Sequence, residues 1–194
     1  MEDWLLLAQR GEEAAVNRLV TTYQQPVFNL CYRMLGEYTE AEDAAQEALV
    51  KAVLNLHTFD AERPFKPWVL RIASNECIDR IRRRKPIVSL DGMGEDGAWE
   101  WQAGHSPNPE KEILRHEQQA QIQEMLENLP PLDRTVVTLF YWEGLSYAEI
   151  GEVTELSISA IKSRLFRARR VMAQLIVGSN TLGSNTMQEE RYVA

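Results

Sequence analysis

The alternation of hydrophobic and polar residues along the chain predicts helices over most of its length. In residues 12–35, apolar side chains recur at steps of three and four, and Gly36 follows as a helix stop signal. A stripe of alanine, leucine and valine runs through residues 41–56, and a third periodic segment covers about residues 65–85. Together these segments predict an all-α bundle in residues 1–87.

Local signals indicate where these helices begin and bend. Pro26 is expected to interrupt or kink the first helix, because proline lacks an amide hydrogen and collides with the preceding turn. Thr39 with Glu42 has the pattern of a capping box, which predicts that the second helix starts at this point. Pro64 and Pro67 suit the first turn of the third helix, where a missing amide hydrogen is harmless.

The pattern breaks down in residues 88–112, which are rich in glycine, proline and acidic residues. This composition is typical of a flexible linker or of a partly ordered acidic loop. Periodicity returns in residues 113–177 and predicts further helices, whereas residues 178–194 are polar and are expected to be disordered. The chain is therefore predicted to consist of two small all-α domains, joined by an acidic linker and followed by a disordered tail.

The strongest functional pattern lies in residues 146–170. Ser146 and Glu149 form a capping box ahead of a short helix, a three-residue turn follows, and Ser157 then opens a longer, basic helix. This order predicts a helix-turn-helix, whose second helix enters the major groove of DNA. The alternative is a solvated basic helix without a nucleic-acid role, but here capping, turn length and basic charge coincide.

The outer face of this second helix is predicted to read DNA. Short polar residues let the backbone approach the groove, and cations can reach guanine edges or phosphates. The candidate DNA-contacting residues are Ser157, Ser159, Lys162, Ser163, Arg164, Arg167 and Arg170.

The distribution of charge supports nucleic-acid binding, although the net charge is −8. Thirteen of the 21 lysines and arginines lie in two segments, residues 63–85 and 162–170. A phosphate backbone responds to such local stripes rather than to the average charge. The acidic remainder of the chain fits either contact with a basic protein partner or simple solubility.

Signals for an enzyme, a cofactor or a metal site are missing from the sequence. The histidines His57, His105 and His116 are scattered, and neither a glycine-rich phosphate loop nor a nucleophile elbow occurs. Cys31 and Cys77 each lie in an apolar helical pattern and are predicted to be buried, reduced thiols, with a redox-sensing pair as the alternative. We therefore expect no catalytic site, no cofactor, no metal and no small-molecule substrate.

Hydropathy and the first residues argue against export. No apolar run approaches the roughly 18 residues that a membrane span needs. The N-terminus carries acidic residues where a signal peptide has basic ones. A cytoplasmic location without membrane insertion is expected.

Three motifs resemble one protein family. Residues 129–170, from LPPLDRTVVTLF through EGLSYAEI to KSRLFRARR, resemble the promoter −35-reading domain of extracytoplasmic-function (ECF) sigma factors. EAEDAAQEALVKAV in residues 40–53 is similar to the helix with which this family binds core polymerase. FKPWVLRIASNECIDRIRRR in residues 65–84 is similar to its −10-reading helix. The motifs occur in the family's order, and the resemblance covers about residues 10–177.

The resemblance implies a sigma factor with a region 2 helical bundle and a region 4 helix-turn-helix. Its partners would be core RNA polymerase, through the largest-subunit coiled coil and the flap, promoter DNA in duplex and single-stranded form, and an anti-sigma factor. Contact with the polymerase would involve Asp43, Gln46, Glu47 and Lys51. A plain solvated helix face is the alternative for these four residues.

The resemblance also implies residues for strand opening. Aromatic rings and amides can capture an extruded base by stacking and hydrogen bonding, while arginines hold phosphates. By the resemblance, Phe59, Phe65, Trp68 and Asn75 would shape the −10 pocket, and Arg63, Arg71, Arg82 and Arg83 would hold the displaced strand. For Phe65 and Trp68, burial in the core is the alternative, and for Asn75 it is capping or cross-linking of helices.

One residue departs from the family pattern in the turn of the helix-turn-helix. Glu155 stands there, where the family usually has glycine. If this residue is left-handed, its conformation costs on the order of 1 kcal/mol.

A second function remains open from the residues alone. The chain would then be a stand-alone helix-turn-helix regulator, with residues 1–85 as an effector or dimerisation domain. The basic and aromatic helix at residues 65–85 favours the sigma factor, because an effector domain does not need such a helix.

Overall fold

The computed structural model describes residues 3–84 and 109–189, and all regular structure in these two ranges is helical. The N-terminal range contains α1 (Asp3–Gln9), α2 (Glu13–Leu35), α3 (Tyr38–Leu54) and α4 (Phe65–Arg83), with a 3-10 turn at Leu56–Thr58. The C-terminal range contains α5 (Pro109–Glu127), α6 (Pro131–Tyr141), α7 (Tyr147–Thr154) and α8 (Ile158–Glu189). The predicted all-α fold is confirmed. Within these ranges, no helix combines the length and apolar character that a membrane crossing requires.

The N-terminal helices form a bundle around α2, which packs against α1, α3 and α4. Its centre consists of fully buried apolar side chains, among them Leu19, Leu30, Met34 and Leu70. Helix α3 contributes a buried stripe of alanines, so its backbone can approach α2 and α4 closely. Apolar burial of this kind stabilises a fold by roughly 25 cal/mol per Å².

Helix α2 continues through Pro26 without a break, so the predicted interruption is wrong, whereas the alternative of a kink stays a prediction. The neighbouring Val27 and Leu30 are fully buried in the bundle. Tertiary packing of this face therefore outweighs the local cost of a proline inside a helix, which is about 3 kcal/mol.

The start of α3 also differs from the prediction, because its cap is Glu37 rather than Thr39. The Glu37 carboxylate accepts hydrogen bonds from the amides of Thr39 and Glu40, at 2.8 and 2.6 Å. The bonds from the Glu40 and Thr39 amides lower the pKa of Glu37. A carboxylate at this end of a helix also interacts favourably with the helix dipole.

The C-terminal domain packs α6, α7 and α8 around a second set of buried side chains, including Leu139, Ile150, Ile161 and Leu165. Helix α5 contacts both α8 and α2. It begins at Pro109, which lies inside the predicted linker. Residues 85–108 lie outside the described residues, and the predicted flexibility of the linker falls mostly on them.

Helix α8 is longer than predicted, because it runs to Glu189 rather than ending near Val177. The helix therefore includes residues 178–189 of the predicted tail, residues 190–194 lie outside the described residues, and the disorder of the tail stays a prediction. Extension of an existing helix adds one hydrogen bond per residue without a new nucleation step. It therefore does not need the apolar stripe on which the prediction depended.

The two domains are in direct contact. The buried Arg134 guanidinium of α6 donates hydrogen bonds to the carbonyl oxygens of Met34, Glu127 and Leu129, at 2.6, 2.8 and 3.4 Å. Because Met34 lies in the last turn of α2, a cation of the C-terminal domain satisfies a carbonyl at the end of an N-terminal helix. At the same end, Gly36 has a φ of 82°, and a side chain there would collide with the Glu127 carboxylate.

Candidate nucleic-acid interface

The helix-turn-helix consists of α7, a short turn and the start of α8. The predicted capping box is confirmed: the Ser146 amide donates to Glu149 Oε2 at 2.8 Å, and the Glu149 amide donates to Ser146 Oγ at 3.3 Å. The Ala160 amide donates to Ser157 Oγ at 3.2 Å, so Ser157 caps α8 as predicted. Satisfied amides at both helix starts stabilise the motif by about 1 kcal/mol each.

Glu155 links the two helices in a left-handed conformation, with φ 59° and ψ 23°. Among the described residues, no other non-glycine residue has a positive φ. Its amide donates to the Gly151 carbonyl at 2.9 Å and so closes α7. The conformation costs on the order of 1 kcal/mol relative to glycine.

The outer face of α8 exposes most of the predicted DNA-contacting residues. Exposed members of that set are Ser157, Ser159, Lys162, Ser163, Arg167 and Arg170. Lys162 Nζ lies 5.6 Å from the centre of the Tyr147 ring, a cation–π distance that places the ammonium beside α7. This face therefore offers hydroxyls near its N-terminal end and cations further along, without any rearrangement.

Arg164 differs from the rest of the predicted set, because it is half-buried and forms an ion pair with Asp133. The Asp133 carboxylate is itself buried, at 8% exposed. The pair joins α8 to the start of α6 and holds the Arg164 guanidinium between the two helices.

The predicted −10 aromatics lie together at the start of α4. The ring centres of Phe59 and Phe65 are 5.0 Å apart, and each lies 5.2 Å from the centre of Trp68. Phe59 and Phe65 are buried, whereas Trp68 is half-buried. The two phenylalanines therefore occupy core positions, as the alternative expectation has it for Phe65, and Trp68 is the most accessible ring of the three.

The cations and the amide predicted for the −10 site lie on exposed positions of α4 and the loop before it. Arg71, Asn75, Arg82, Arg83 and Arg63 are all exposed. A shallow pocket of about 230 Å³ brings Trp68, Arg71 and Asn75 together. A ring, a guanidinium and an amide around one pocket can stack on a base, pair with its edge and hold its phosphate.

The four predicted polymerase-binding residues lie along α3. Asp43, Gln46 and Glu47 are exposed, and Lys51 is half-buried. Lys51 Nζ lies 2.9 Å from Glu47 Oε1 and 2.5 Å from Glu76 Oε2. This end of the face is thus tied to α4.

Sequence reasoning missed the two residues of α4 that complete this network, Glu76 and Arg80. Arg80 Nε lies 2.8 Å from Glu76 Oε1, and its Nη2 lies 2.9 Å from Glu47 Oε2. Burial raises the pKa of Glu76, but hydrogen bonds from Lys51 and Arg80 outweigh it, so the net pKa is lowered. The spacing of four residues between Glu76 and Arg80 was the available signal.

Two exposed apolar residues on α3 were also missed. Val50 and Leu54 are 57% and 69% exposed, and they lie one helical turn apart. Because they lie next to the polar face of α3, they are candidates for contact with the same partner.

The described residues hold no group of histidine, cysteine, aspartate or glutamate side chains that could bind a metal ion. Cys31 and Cys77 are both buried, as predicted. A hydrogen bond with Cys31 and burial raise the pKa of the Cys77 thiol well above its usual value.

Two helical domains, each presenting an exposed basic helix, define a class of protein that contacts nucleic acid at two separate places. The family Sigma-70 region 2 matches residues 19–87, and the family Sigma-70, region 4 matches residues 119–172. The chain is 38% identical to the ECF RNA polymerase sigma factor SigW of Bacillus subtilis (strain 168) over 168 residues, which cover 84% of this chain and 90% of SigW. It is 35% identical to the RNA polymerase sigma-H factor of Pseudomonas aeruginosa over 84% of this chain and 87% of that protein. The chain belongs to the ECF family of RNA polymerase sigma factors.

Solved structures support the fold. CnrH in complex with the cytosolic domain of CnrY is similar with a TM-score of 0.67 and 24% identity, over 90% of this chain and 96% of CnrH. The sigma factor RpoE of Bartonella quintana, in complex with the anti-sigma factor NepR, has a TM-score of 0.65 and 20% identity, over 82% and 95% of the two chains.

This protein is therefore a transcription initiation factor that binds core RNA polymerase and directs initiation at promoters. The stand-alone regulator is not favoured, because both halves of the chain match sigma-factor regions: the N-terminal half matches region 2 and the helix-turn-helix half matches region 4.

Proposed function

We propose that the exposed face of α8 reads the −35 duplex and that α4 captures the −10 strand, so that the two domains contact one promoter at two points. The observation that carries the proposal is the placement of the cations. Lys162, Arg167 and Arg170 are exposed on α8, and Arg71 and Arg82 are exposed on α4. The domains would extend over residues 1–87 and 113–177.

In the −35 contact, the serines near the start of α8 would allow a close approach, and Arg167 and Arg170 would bind base edges or phosphates. Arg164 would act through its ion pair with Asp133, which joins α8 to α6.

In the −10 contact, an extruded base would enter the pocket that Trp68, Arg71 and Asn75 share. The buried Phe59 and Phe65 would support the Trp68 ring from below. Binding must offset the unpairing and unstacking of each flipped base, a few kcal/mol. Arg63, Arg82 and Arg83 would contribute by holding phosphates of the displaced strand.

Polymerase would bind the polar face of α3, with Asp43, Gln46 and Glu47 at its centre and Lys51 at its edge. The exposed Val50 and Leu54 extend this face with apolar surface. Region 4 would contact the flap of the polymerase. The chemistry of RNA synthesis would belong wholly to the polymerase, and this chain would act in the cytoplasm without a catalytic site of its own.

An anti-sigma factor would control the protein by covering these surfaces. Support comes from the similar fold of RpoE in complex with the anti-sigma factor NepR. Such a partner would compete with either polymerase or DNA for the same residues.

The test is promoter-directed transcription with the purified chain, core polymerase and a promoter library. Two charge-reversal variants separate the contacts: Arg82→Glu with Arg83→Glu on α4, and Lys162→Glu with Arg167→Glu on α8. Each pair is expected to reduce specific transcripts at least ten-fold, because reversed charges repel the phosphates they should bind. Arg10→Glu, an exposed site in the turn after α1, is the control and is expected to have little effect.

Binding to core polymerase is measured separately for every variant. Unchanged polymerase binding with lost initiation would support a role in DNA contact. Undiminished initiation by both double variants would overturn the proposed roles of α4 and α8.

A further inference from the structure

The C-terminal domain partly covers the face of α4 to which the proposed function assigns strand capture. A cavity of about 140 Å³ lies between Arg71 and Asn75 of α4 and Glu155 of the helix-turn-helix. A neighbouring pocket of about 250 Å³ has Trp68 and Arg71 in its wall together with Glu152 of α7. Access of a DNA strand to this face is therefore restricted by the protein's own second domain.

The two surfaces that meet here carry opposite charges. Arg71 of α4 forms an ion pair with Glu155. Lys66 Nζ lies 3.0 Å from Glu143 Oε2 and donates a hydrogen bond to the Glu143 carbonyl at 2.8 Å. A carboxylate accepts hydrogen bonds from a guanidinium much as a phosphate does. Acidic groups of the C-terminal domain thus occupy positions suited to the phosphates of a DNA strand.

The conformation of Glu155 points to a purpose for its side chain. A strained backbone persists where the surrounding structure compensates for it. Glycine at this position would relax the left-handed turn, but it would remove the carboxylate that faces Arg71. Compared with glycine, glutamate at this position adds the ion pair with Arg71 of α4.

The observed contact between α4 and α7 is incompatible with a factor bound along a promoter. The −10 and −35 elements are named for their positions relative to the transcription start. They therefore lie about 25 base pairs apart, which is roughly 85 Å of B-form DNA. The domains must therefore separate on binding. The interface includes polar groups, such as Arg134 and Gln123, whose hydrogen bonds water can replace after separation.

We propose that the helix-turn-helix domain competes intramolecularly with single-stranded promoter DNA, with Glu155 in the place of a phosphate on Arg71 in the free protein. The idea rests on the proposed function, because it takes Arg71 as a strand-binding residue. The side chains of Arg71 and Glu155 are 46% and 72% exposed, and exposed ion pairs contribute modestly. Loss of the carboxylate is therefore expected to raise the open fraction about two- to five-fold.

The experiment compares two variants of Glu155 in the full chain. Glu155→Gln removes the charge and keeps the side-chain shape, whereas Glu155→Gly also relaxes the turn and therefore carries little risk of misfolding. Glu124→Gln is the matched control, because Glu124 is an exposed carboxylate of α5 in the same domain. Domain separation is measured by pulsed EPR between spin labels at Glu13→Cys and Gln174→Cys, both exposed positions. The native cysteines are buried and protected from the label.

The second measurement is the affinity of the free chain for a fluorescent single-stranded oligonucleotide with the non-template −10 sequence. Both Glu155 variants are expected to bind it about two- to five-fold more tightly, with a larger population of long label distances, while the control matches the parent chain. Unchanged affinity and unchanged distances in both variants would overturn the proposal. Tighter oligonucleotide binding without longer label distances, or an equal gain in affinity in Glu124→Gln, would mean that only the change in net charge matters. Either result would also overturn the proposal.

Transcription by the reconstituted holoenzyme distinguishes this proposal from the proposed function. At saturating core polymerase, the Glu155 variants are expected to initiate within about two-fold of the parent chain, because the polymerase holds the domains apart. If the parent chain initiates but the variants bind the oligonucleotide no better, the intramolecular competition alone is refuted. If the parent chain does not initiate, the proposed function fails first.

Discussion

The cations of α8 and those of α4 differ in what surrounds them. On α8, Arg167 and Arg170 are exposed, and no ion pair involves either of them among the described residues. On α4, Arg71 forms an ion pair with Glu155, and Arg82 Nη1 lies 3.6 Å from Asp79 Oδ1. A surface for duplex DNA is thus preformed, whereas the surface for a single strand is partly occupied by protein groups that a ligand must displace.

The aromatic residues show the same difference. Phe166 on α8 is 58% exposed, while Phe65 on α4 is 3% exposed and packs against Phe59, Trp68 and Tyr23. The start of α4 combines a nucleic-acid surface with the core of its bundle. Mutations there are expected to change stability and DNA binding together, whereas those on α8 can change binding alone.

The largest expected effect is on the stability of the N-terminal bundle. Phe65→Ala should lower the free energy of unfolding by about 3–5 kcal/mol, because it removes a buried ring and leaves a cavity. Urea unfolding measures the loss. Phe166→Ala is the control and should change stability by less than about 0.5 kcal/mol. Equal stability of the Phe65 variant and the parent chain would mean that the ring is not a core residue.

The buried carboxylate between α3 and α4 is the next test of the comparison. Glu76→Gln removes one of the two carboxylates that Lys51 and Arg80 contact, Glu47 being the other, and should cost about 1–3 kcal/mol, toward the lower end because Lys51 is 45% exposed. Because the folded pKa of Glu76 lies below its usual 4.5, its contribution is fully present above pH 4.5 and is lost as the pH falls through the folded pKa.

Urea unfolding as a function of pH checks this prediction. The parent chain should lose stability on acidification more steeply than Glu76→Gln. Glu42→Gln, at an exposed position of α3, should follow the parent chain. Parallel curves for the parent chain and Glu76→Gln would contradict the role given to this network.

The recognition helix offers a test in binding rather than stability. Arg167→Ala should weaken binding of the holoenzyme to duplex −35 DNA by about 1–2 kcal/mol. It should also make the slope of log K against log salt concentration less steep by about one. Arg164→Ala, which breaks the ion pair with Asp133, should instead lower thermal stability of the C-terminal domain. Fluorescence anisotropy measures DNA binding, and thermal melts measure stability. Weaker DNA binding by Arg164→Ala and lower stability of Arg167→Ala would contradict the roles given to these two arginines.

The smallest effect is expected at the cap of α7. Ser146→Ala removes one half of the capping box and should cost about 1 kcal/mol of stability, with DNA affinity changed only through folding. Ser163→Ala, on the exposed face of α8, should be nearly neutral in unfolding. Equal stabilities of the two variants would mean that the capping box does not stabilise the motif.

Local signals predicted the start of the helix-turn-helix well, because capping depends on residues only three positions apart. The box at Ser146 and Glu149 and the cap at Ser157 are examples. Local signals failed where packing decides. Pro26 lies in a continuous helix because its neighbours are buried in the bundle. Glu37 replaces Thr39 as the cap of α3 because its carboxylate accepts hydrogen bonds from two backbone amides.

The candidate site shows the same division. The exposed serines, lysine and arginines of α8 follow from helical periodicity alone, so their position could be predicted. The partners of Arg164, Arg71 and Lys51 could not, because Asp133, Glu155 and Glu76 lie 31, 84 and 25 residues away in the chain.

What the sequence by itself determined is the all-helical fold and the presence of two basic helices. Short-range periodicity, capping and charge are properties of neighbouring residues. The tertiary structure decided which cations are available. Long-range packing brings the carboxylates of one helix against the guanidinium groups of another, and an arginine opposite a carboxylate must exchange that partner before it can bind a phosphate.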